Sequence, residues 1–167
     1  HISREHRVEA LSKKNWDGST KIDLILKLVQ AVFNNPETKD DKIVIFSQFT
    51  MFLDVVEIAL QRAKVEYHRV DGESSLSERN ATISSFAGDT KQVLLASKMA
   101  TGVGLNLTMA NHVFVVDPWW NPAIEEQAVH RCHRIGQKKP VHITRLVVKG
   151  TIEEYCLEVC QRKKDFG

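Results

Sequence analysis

Three short runs of almost purely apolar residues recur along this chain and constrain its fold more than any other feature. They read KIVIF (42–46), VLLAS (93–97) and HVFVVD (112–117). A strand that is buried on both faces has this continuous apolar pattern, and such strands occur in parallel sheets that are covered by helices. The runs therefore predict an α/β fold with a mostly parallel central sheet and helices on both faces.

Segments with helical spacing separate these runs, as the alternation of a parallel α/β sheet requires. Thr20 with Asp23 resembles a capping box at the start of the first helix. Ser75 with Glu78 has the same pattern, and Pro122 suits a first helical turn. The predicted helices cover 20–33, 51–63, 75–86, 122–133 and 151–163, and two further predicted strands cover 66–70 and 141–148.

The composition favours one globular domain without a membrane span. Hydrophobic residues make up 43% of the chain and charged residues 26%. The longest apolar runs fall far short of the ~20 residues that a spanning helix needs. A net charge of +2 excludes a general polycation, so any polyanion has to be bound by local patches. Three cysteines do not make a disulfide framework, which indicates a reducing compartment.

The first residue is His1 rather than Met, and we expect the chain to be a piece of a longer protein. Residues 1–18 are polar and lack clear periodicity, so they are expected to form a tail or linker. Residues 19–167 are expected to form the folded domain.

Polar or glycine-bearing segments follow the predicted strands. Ligands of parallel α/β sheets lie beyond the carboxyl ends of the strands, so function is expected there. SQFT (47–50) offers hydroxyl and amide groups that suit phosphate oxygens or helix capping. SKMATGVGLNLT (97–108) contains Gly102 and Gly104, which permit positive φ or close backbone approach. This segment is not a P-loop, because the sequence has no G-x-x-x-x-G-K-[ST] pattern.

Two adjacent tryptophans lie between prolines in PWWNP (118–122). A loop at a strand end does not readily bury two indole rings. One tryptophan is therefore expected to pack and the other to face a partner.

The most unusual stretch is EEQAVHRCHRIGQKKPV (125–141). Gln127, Arg131 and Arg134 occur at i, i+4 and i+7, so they share one face of the predicted helix. A guanidinium group is always charged and matches phosphate oxygens in a bidentate way. The spacing fits either phosphate recognition or surface salt bridges, and by itself it leaves both interpretations open.

The order of these segments resembles the second RecA-like lobe of superfamily-two helicases, and more narrowly the SWI/SNF family of DNA translocases. KIVIFSQFT (42–50) is similar to motif IV of that family, and RVDGESSLSERNATISSF (69–86) to its Asp-Gly segment. SKMATGVGLNL (97–107) is similar to motif V. DPWWNPAIEEQAVHRCHRIGQKKPV (117–141) is similar to the Trp-Asn-Pro element that runs into motif VI. The resemblance extends from about residue 21 to residue 158.

The resemblance implies a role for each matched residue. Arg131 and Arg134 match motif VI arginines that reach ATP held by the first lobe. Gln127 matches the glutamine that helps to order that interface. The positions implied to lie near the nucleotide are Gly102, Gly104 and Asn106. The positions implied to lie near DNA are Ser47, Gln48, Ser97, Lys98, Trp120 and Asn121.

As a whole, the resemblance implies the C-terminal lobe of an ATP-dependent double-stranded DNA translocase, of the chromatin-remodelling or DNA-repair type. ATP and Mg²⁺ would be bound mainly by the first RecA-like lobe of the same polypeptide, and this chain would be inactive alone. The sequence of these motifs most resembles that of the SWI/SNF branch with a RING finger inserted between the lobes. That branch implies a nucleus, ubiquitin ligase activity in the parent chain, and nucleosomes or ubiquitin-pathway proteins as partners.

Two other interpretations stay open. His130, Cys132 and His133 are residue types that ligate zinc, although the chain has no C-x-x-C pair. Cys156 and Cys160 have helical spacing that favours burial in the core instead. The second interpretation is a non-catalytic α/β module that binds DNA or a protein through its basic end.

Overall fold

A computed structural model of the chain describes residues 3–14, 18–98, 104–133, 137 and 139–165, with side chains up to residue 162. The described strands form one sheet of five strands in the order β2-β3-β1-β4-β5, and every pairing is parallel. The strands are β1 (Lys42–Ser47), β2 (Tyr67–Val70), β3 (Val93–Ser97), β4 (Ala110–Val115) and β5 (His142–Arg145). The helices are α1 (Arg4–Ser12), α2 (Thr20–Asn34), α3 (Thr50–Arg62), α4 (Leu76–Gly88), α5 (Pro122–His130) and α6 (Ile152–Asp165).

Helices cover both faces of this sheet, as the apolar runs predicted. Val44 and Phe46 of the central strand β1 belong to a core that α4 and α5 complete. Ile43 and Ile45 point to the opposite face, into a core that α2 and α3 complete. All four side chains are fully buried, and burial of such a side chain stabilises the fold by roughly 1.5–3 kcal/mol. No helix in the described part of the chain is long and apolar enough to cross a membrane.

The predicted helix starts were confirmed at two positions and wrong at one. Ser75 and Glu78 form the reciprocal capping box at the start of α4, and Pro122 occupies the first turn of α5. Thr20, however, already lies inside α2. The N-cap is Ser19, whose extended backbone precedes the helix and whose side chain makes no capping hydrogen bond. The Thr20–Asp23 pattern therefore does not form the predicted box.

The segment 1–18, expected to be a tail or linker, contains the helix α1. This helix buries none of its residues. Its polar attachments include Arg7, which donates to Asp54 of α3 at 2.9 Å and to Glu73 at 3.1 Å. The sequence did not reveal this helix, because its periodicity is weak and its partners lie far away in the chain.

Arg69 is the centre of a buried network of charges between β2 and α3. Its guanidinium group contacts Asp54 at 2.7 Å, Glu57 at 2.5 Å and Asp71 at 2.9 Å. All four side chains are at most 8% exposed. Desolvation by burial acts to lower the pKa of Arg69, but hydrogen bonding to Asp54 and the nearby carboxylates leave that pKa raised. Arg69 thus pairs with three buried carboxylates, of which Asp54 also accepts from Arg7.

We expect Arg69→Met to lower the free energy of unfolding by about 3–5 kcal/mol, since it leaves Glu57 and Asp71 buried without their cation and Asp54 with Arg7 alone. Urea denaturation of the chain measures this change. The control is Lys13→Met, which removes a pair with Glu9 whose side chains are 71% and 61% exposed, and which should change stability by less than about 1 kcal/mol. A loss below about 1 kcal/mol for Arg69→Met would contradict the assigned role of the network.

Candidate functional site

The carboxyl ends of β1 and β4 lie side by side at the switch point of the sheet, where the strand order reverses. From β1 the chain continues toward β2, and from β4 it continues toward β5 on the other side. In open α/β sheets, ligands bind in the crevice at such a point. The segments that follow β1, β3 and β4 therefore form the candidate site.

Asp117 joins the ends of β1 and β4. It is 3% exposed, and its carboxylate accepts hydrogen bonds from the Ser47 hydroxyl and, at 3.0 Å, from the Gln48 backbone N–H. The Gln48 side-chain amide donates to the Pro118 carbonyl at 2.9 Å. Burial raises the pKa of Asp117, and the two hydrogen bonds act in the opposite direction. The four residues form a clamp across the switch point.

Ser47 takes part in this clamp, and its expected DNA-side role stays a prediction. The side chain is fully buried and its hydroxyl group is already paired with Asp117, so it is not presented to a phosphate. Gln48 is half-buried and its amide is engaged with Pro118. Sequence reasoning missed Asp117, although a carboxylate directly after an all-apolar strand was a usable signal.

Ser97, Lys98 and Trp119 lie together beyond the ends of β3 and β4. Ser97 and Trp119 are each 1% exposed. In the described part of the chain, the Ser97 hydroxyl and the Trp119 indole N–H have no hydrogen-bond partner. The Lys98 ammonium lies 5.9 Å from the centre of the Trp119 ring, and that ring packs edge-on against Phe46 at 6.3 Å. Two buried polar groups without partners are costly and mark this corner as a place for a ligand or an ordered water.

The two tryptophans divide as predicted with respect to burial. Trp119 is buried in the core, whereas Trp120 is 46% exposed. Asn121 is the N-cap of α5, and its side-chain oxygen accepts from the Ala123 N–H at 3.1 Å. Asn121 therefore has a local structural role, which leaves only its amide N–H groups for a partner.

The segment 104–108 forms a turn that is anchored in the core. Gly104 has a φ of +72°, which confirms the predicted positive φ. Leu105 and Leu107 are buried on either side of Asn106, which is exposed. The Asn106 side-chain oxygen accepts from the Thr108 N–H at 3.3 Å and from the Thr108 hydroxyl at 2.9 Å. Gly102 lies outside the described residues.

Helix α5 ends at His130 rather than near His133, and Arg131 is its C-cap. The next residue, Cys132, is fully buried, and its N–H bonds to the Val129 carbonyl three residues back at 2.9 Å. This tighter turn carries the chain into the core, which is why the helix stops early. Arg134 lies outside the described residues, so the predicted shared face is visible only for Gln127 and Arg131.

Arg131 is half-buried and has an unusual environment. Its Nε is buried and has no hydrogen-bond partner, and it forms no ion pair with a described carboxylate. Gln127 is exposed one helical turn away. Both residues line an open cavity of about 530 Å³, whose lining also includes Ala123, Ile124, Glu126 and His130.

Two contacts place α5 relative to the sheet. Leu107 donates its backbone N–H to the Arg131 carbonyl at 3.1 Å, which ties the turn after β3 to the end of α5. Glu125, 8% exposed, accepts from Arg145 of β5 at 2.6 Å. The bond from Leu107 thus places the turn that carries Asn106 beside the end of α5, where Arg131 lies.

The cysteines do not gather into a site. Cys132 is in the core, and burial raises the pKa of its thiol to about 12, so it stays protonated. The thiols of Cys156 and Cys160 lie against the carbonyl groups of Pro118 and Trp119. Among the described residues, no group of three or more His, Cys, Asp or Glu side chains is arranged to hold a metal ion. The predicted burial of Cys156 and Cys160 is confirmed.

Comparison with known proteins gives one consistent answer. The model of the helicase conserved C-terminal domain matches residues 20–136. The DNA repair protein RAD5B of Arabidopsis thaliana is 46% identical over 153 residues, which cover 90% of this chain and 12% of that protein. A protein of the same plant, named as a SWI/SNF-related regulator of chromatin, is 42% identical over 157 residues, or 92% of this chain and 18% of that protein.

A solved structure, the C-terminal part of the Fun30 ATPase domain, superposes with a TM-score of 0.82 at 34% identity. It covers 90% of this chain, which spans 49% of that structure. The chain spans only 12% and 18% of the two relatives above. The expected RecA-like architecture is confirmed, and the chain belongs to the helicase conserved C-terminal domain family, in its SWI/SNF-type branch.

Proposed function

We propose that this chain is the C-terminal lobe of an ATP-dependent double-stranded DNA translocase, and that Arg131 acts on ATP bound by the first lobe. One observation carries the proposal: the Arg131 guanidinium has a buried Nε without a partner and faces an open cavity instead of an internal carboxylate. A buried donor without an acceptor costs about 1–3 kcal/mol, and more for a charged group. Because this Nε is buried, a phosphate oxygen supplied from outside would satisfy it only after the Arg131 side chain turns toward the cavity.

The chemistry of phosphoryl transfer suits such a group. The transition state spreads negative charge over the transferred phosphoryl oxygens, and the protein mainly positions groups and stabilises that charge. An arginine supplied from outside the nucleotide pocket is worth about 10³–10⁵ in rate in GTPases, or roughly 4–7 kcal/mol of barrier. Mg²⁺ and the lysine that grips the phosphates would belong to the first lobe.

The neighbours of Arg131 support the same assignment. Gln127 lies one turn away on the same helix face and would help to order the interface with the first lobe. Gly104, with its left-handed backbone, would allow close approach of the nucleotide. The roles proposed for Arg134 and Gly102 rest on the resemblance alone, because both residues lie outside the described part.

DNA would contact the neighbouring surface beyond β3 and β4. Trp120 is exposed there, and the half-buried Lys98 supplies a positive charge. Ser97 contributes a buried hydroxyl without a partner, and Asn121 retains free amide N–H groups. Gln48 and Ser47 would contribute only after their bonds to Pro118 and Asp117 open. Phosphate and sugar contacts of this kind position a protein on duplex DNA.

The setting follows from the names of the relatives, which include a DNA repair protein and a regulator of chromatin. We therefore propose a nuclear parent protein that acts in DNA repair or chromatin remodelling, with nucleosomes among its partners. A RING finger between the lobes, with ubiquitin ligase activity, remains part of the proposal for the parent. The competing function, a non-catalytic binding module, predicts that Arg131 is dispensable for turnover.

In the parent protein, Arg131→Lys should lower DNA-stimulated ATP hydrolysis by at least about 10²-fold. Lysine keeps the charge but cannot present the planar fork of donors that matches phosphate. Steady-state phosphate release measures the rate, and ATP binding to the unstimulated protein should change little. This chain alone, without the first lobe, should show no hydrolysis.

The matched control is Arg162→Lys on α6, an exposed arginine that should leave turnover unchanged. Normal turnover in Arg131→Lys would remove the catalytic assignment and favour the binding module.

A second substitution tests the DNA surface. Trp120→Ala in the parent protein should raise the DNA concentration for half-maximal stimulation about fivefold, the equivalent of one lost contact of about 1 kcal/mol. The DNA-independent rate should stay the same, because Trp120 is not near Arg131 in the proposed arrangement. Tyr155→Ala is the control, an aromatic residue that is 55% exposed on α6. Equal DNA dependence in both variants would place the duplex elsewhere.

A further inference from the structure

We infer that Asn106 and Thr108 are positioning residues for Arg131, which they hold in place through backbone hydrogen bonds. The inference rests on the proposed function, because it concerns the support of the proposed catalytic arginine. It changes the role that the family resemblance implied for Asn106, from a group near the nucleotide to a group that acts through another residue.

The first step is the closed turn at residues 106–108. The Asn106 side-chain oxygen already accepts two hydrogen bonds from Thr108, from its N–H at 3.3 Å and from its hydroxyl at 2.9 Å. These two bonds use the side-chain oxygen of Asn106 and do not involve its amide nitrogen. The Asn106 oxygen is therefore an internal acceptor, which sets the backbone direction of the residue between the two partners.

The second step is Leu107, the residue between them. Its side chain is fully buried, and its carbonyl accepts from the Ala110 N–H at 3.0 Å where β4 begins. Its own N–H points the other way and donates to the Arg131 carbonyl at 3.1 Å. The turn thus connects the start of the β4 strand to the end of α5.

The third step is the backbone of Arg131, which is held from three directions. Its N–H donates to the Ala128 carbonyl of α5 at 3.1 Å, and its carbonyl accepts from Leu107. The next residue, Cys132, is fully buried in the same core as Leu107. Only the Arg131 side chain leaves this framework and reaches the cavity. Misplacement of a catalytic group by about 1 Å can cost about 10²-fold in rate, so this support matters for turnover.

The chemistry of the turn makes the inference testable with conservative substitutions. The turn needs an acceptor at residue 106, which aspartate supplies and alanine does not. It also uses a hydroxyl donor at residue 108, which serine supplies and valine does not. Direct contact with ATP phosphates would instead require the amide N–H groups of Asn106, and an aspartate there would repel the phosphates.

The experiment measures DNA-stimulated ATP hydrolysis in the parent protein carrying Asn106→Ala or Asn106→Asp. Asn106→Ala should lower kcat about tenfold with little change in KM, because the reacting geometry suffers while nucleotide binding persists. Asn106→Asp should stay within about threefold of the unmodified protein. Thr108→Val should lower kcat about threefold, since the bond from its N–H remains, and Thr108→Ser should restore the rate.

A double-mutant cycle links the effect to the arginine. Asn106→Ala should have no further effect on kcat in the Arg131→Ala background, because the group it positions is gone. Hydrogen exchange of the peptide 104–110 in the parent protein provides a readout that does not depend on activity. The Leu107 amide should exchange faster in Asn106→Ala and at the normal rate in Asn106→Asp.

Each outcome decides a different point. A loss in Asn106→Asp equal to or larger than that in Asn106→Ala would overturn the positioning role and support direct contact with the nucleotide. Unchanged kcat and unchanged exchange in Asn106→Ala would overturn it as well. If Arg131→Ala alone turns over normally while Leu107 exchange responds as expected, the proposed function fails and the local support of Arg131 stands.

Discussion

The burial of the central strand β1 on both faces is the constraint on which the rest of this lobe depends. Residues 43–47 of β1 have no exposed surface, and none of their side chains is charged. Polar chemistry is thereby displaced to the carboxyl ends of the strands. There the backbone leaves the sheet, and side chains from β1, β3 and β4 come within reach of one another. The candidate site therefore lies at this edge of the sheet.

Two arginines show how environment rather than residue type decides what a guanidinium group does. Arg69 is enclosed by Asp54, Glu57 and Asp71, and its charge is paired within the fold. Arg131 is half-buried, has a buried Nε without a partner and faces an open cavity. An arginine supplied with internal carboxylates is structural. An arginine that is partly desolvated and left unpaired is a functional candidate when it also lines an open cavity, because a ligand could enter there and pair with it.

The sequence predicted what depends on neighbours within a few residues and missed what depends on distant partners. The apolar runs predicted the parallel sheet, and local patterns located Pro122, the Ser75–Glu78 box and the positive φ at Gly104. The burial of Ser47 was not predictable in this way, because it follows from Asp117, 70 residues further along the chain. The attachment of α1 through Arg7 was missed for the same reason. The early end of α5 depends on Cys132 entering a core that sequence spacing does not reveal.

The same distinction explains why the candidate site is built from backbone connections as much as from side chains. Strand ends of a parallel sheet lie close in space but far apart in sequence, so groups brought there need cross-links to keep a common geometry. Asp117 provides one between β1 and β4, and the bond from Leu107 to Arg131 provides another between the turn after β3 and α5. Each link includes one buried residue, Asp117 or Leu107, which resists displacement because interiors are close-packed. Under the proposed function this rigidity would be useful, since motion between domains would then move Arg131 as one body with the sheet.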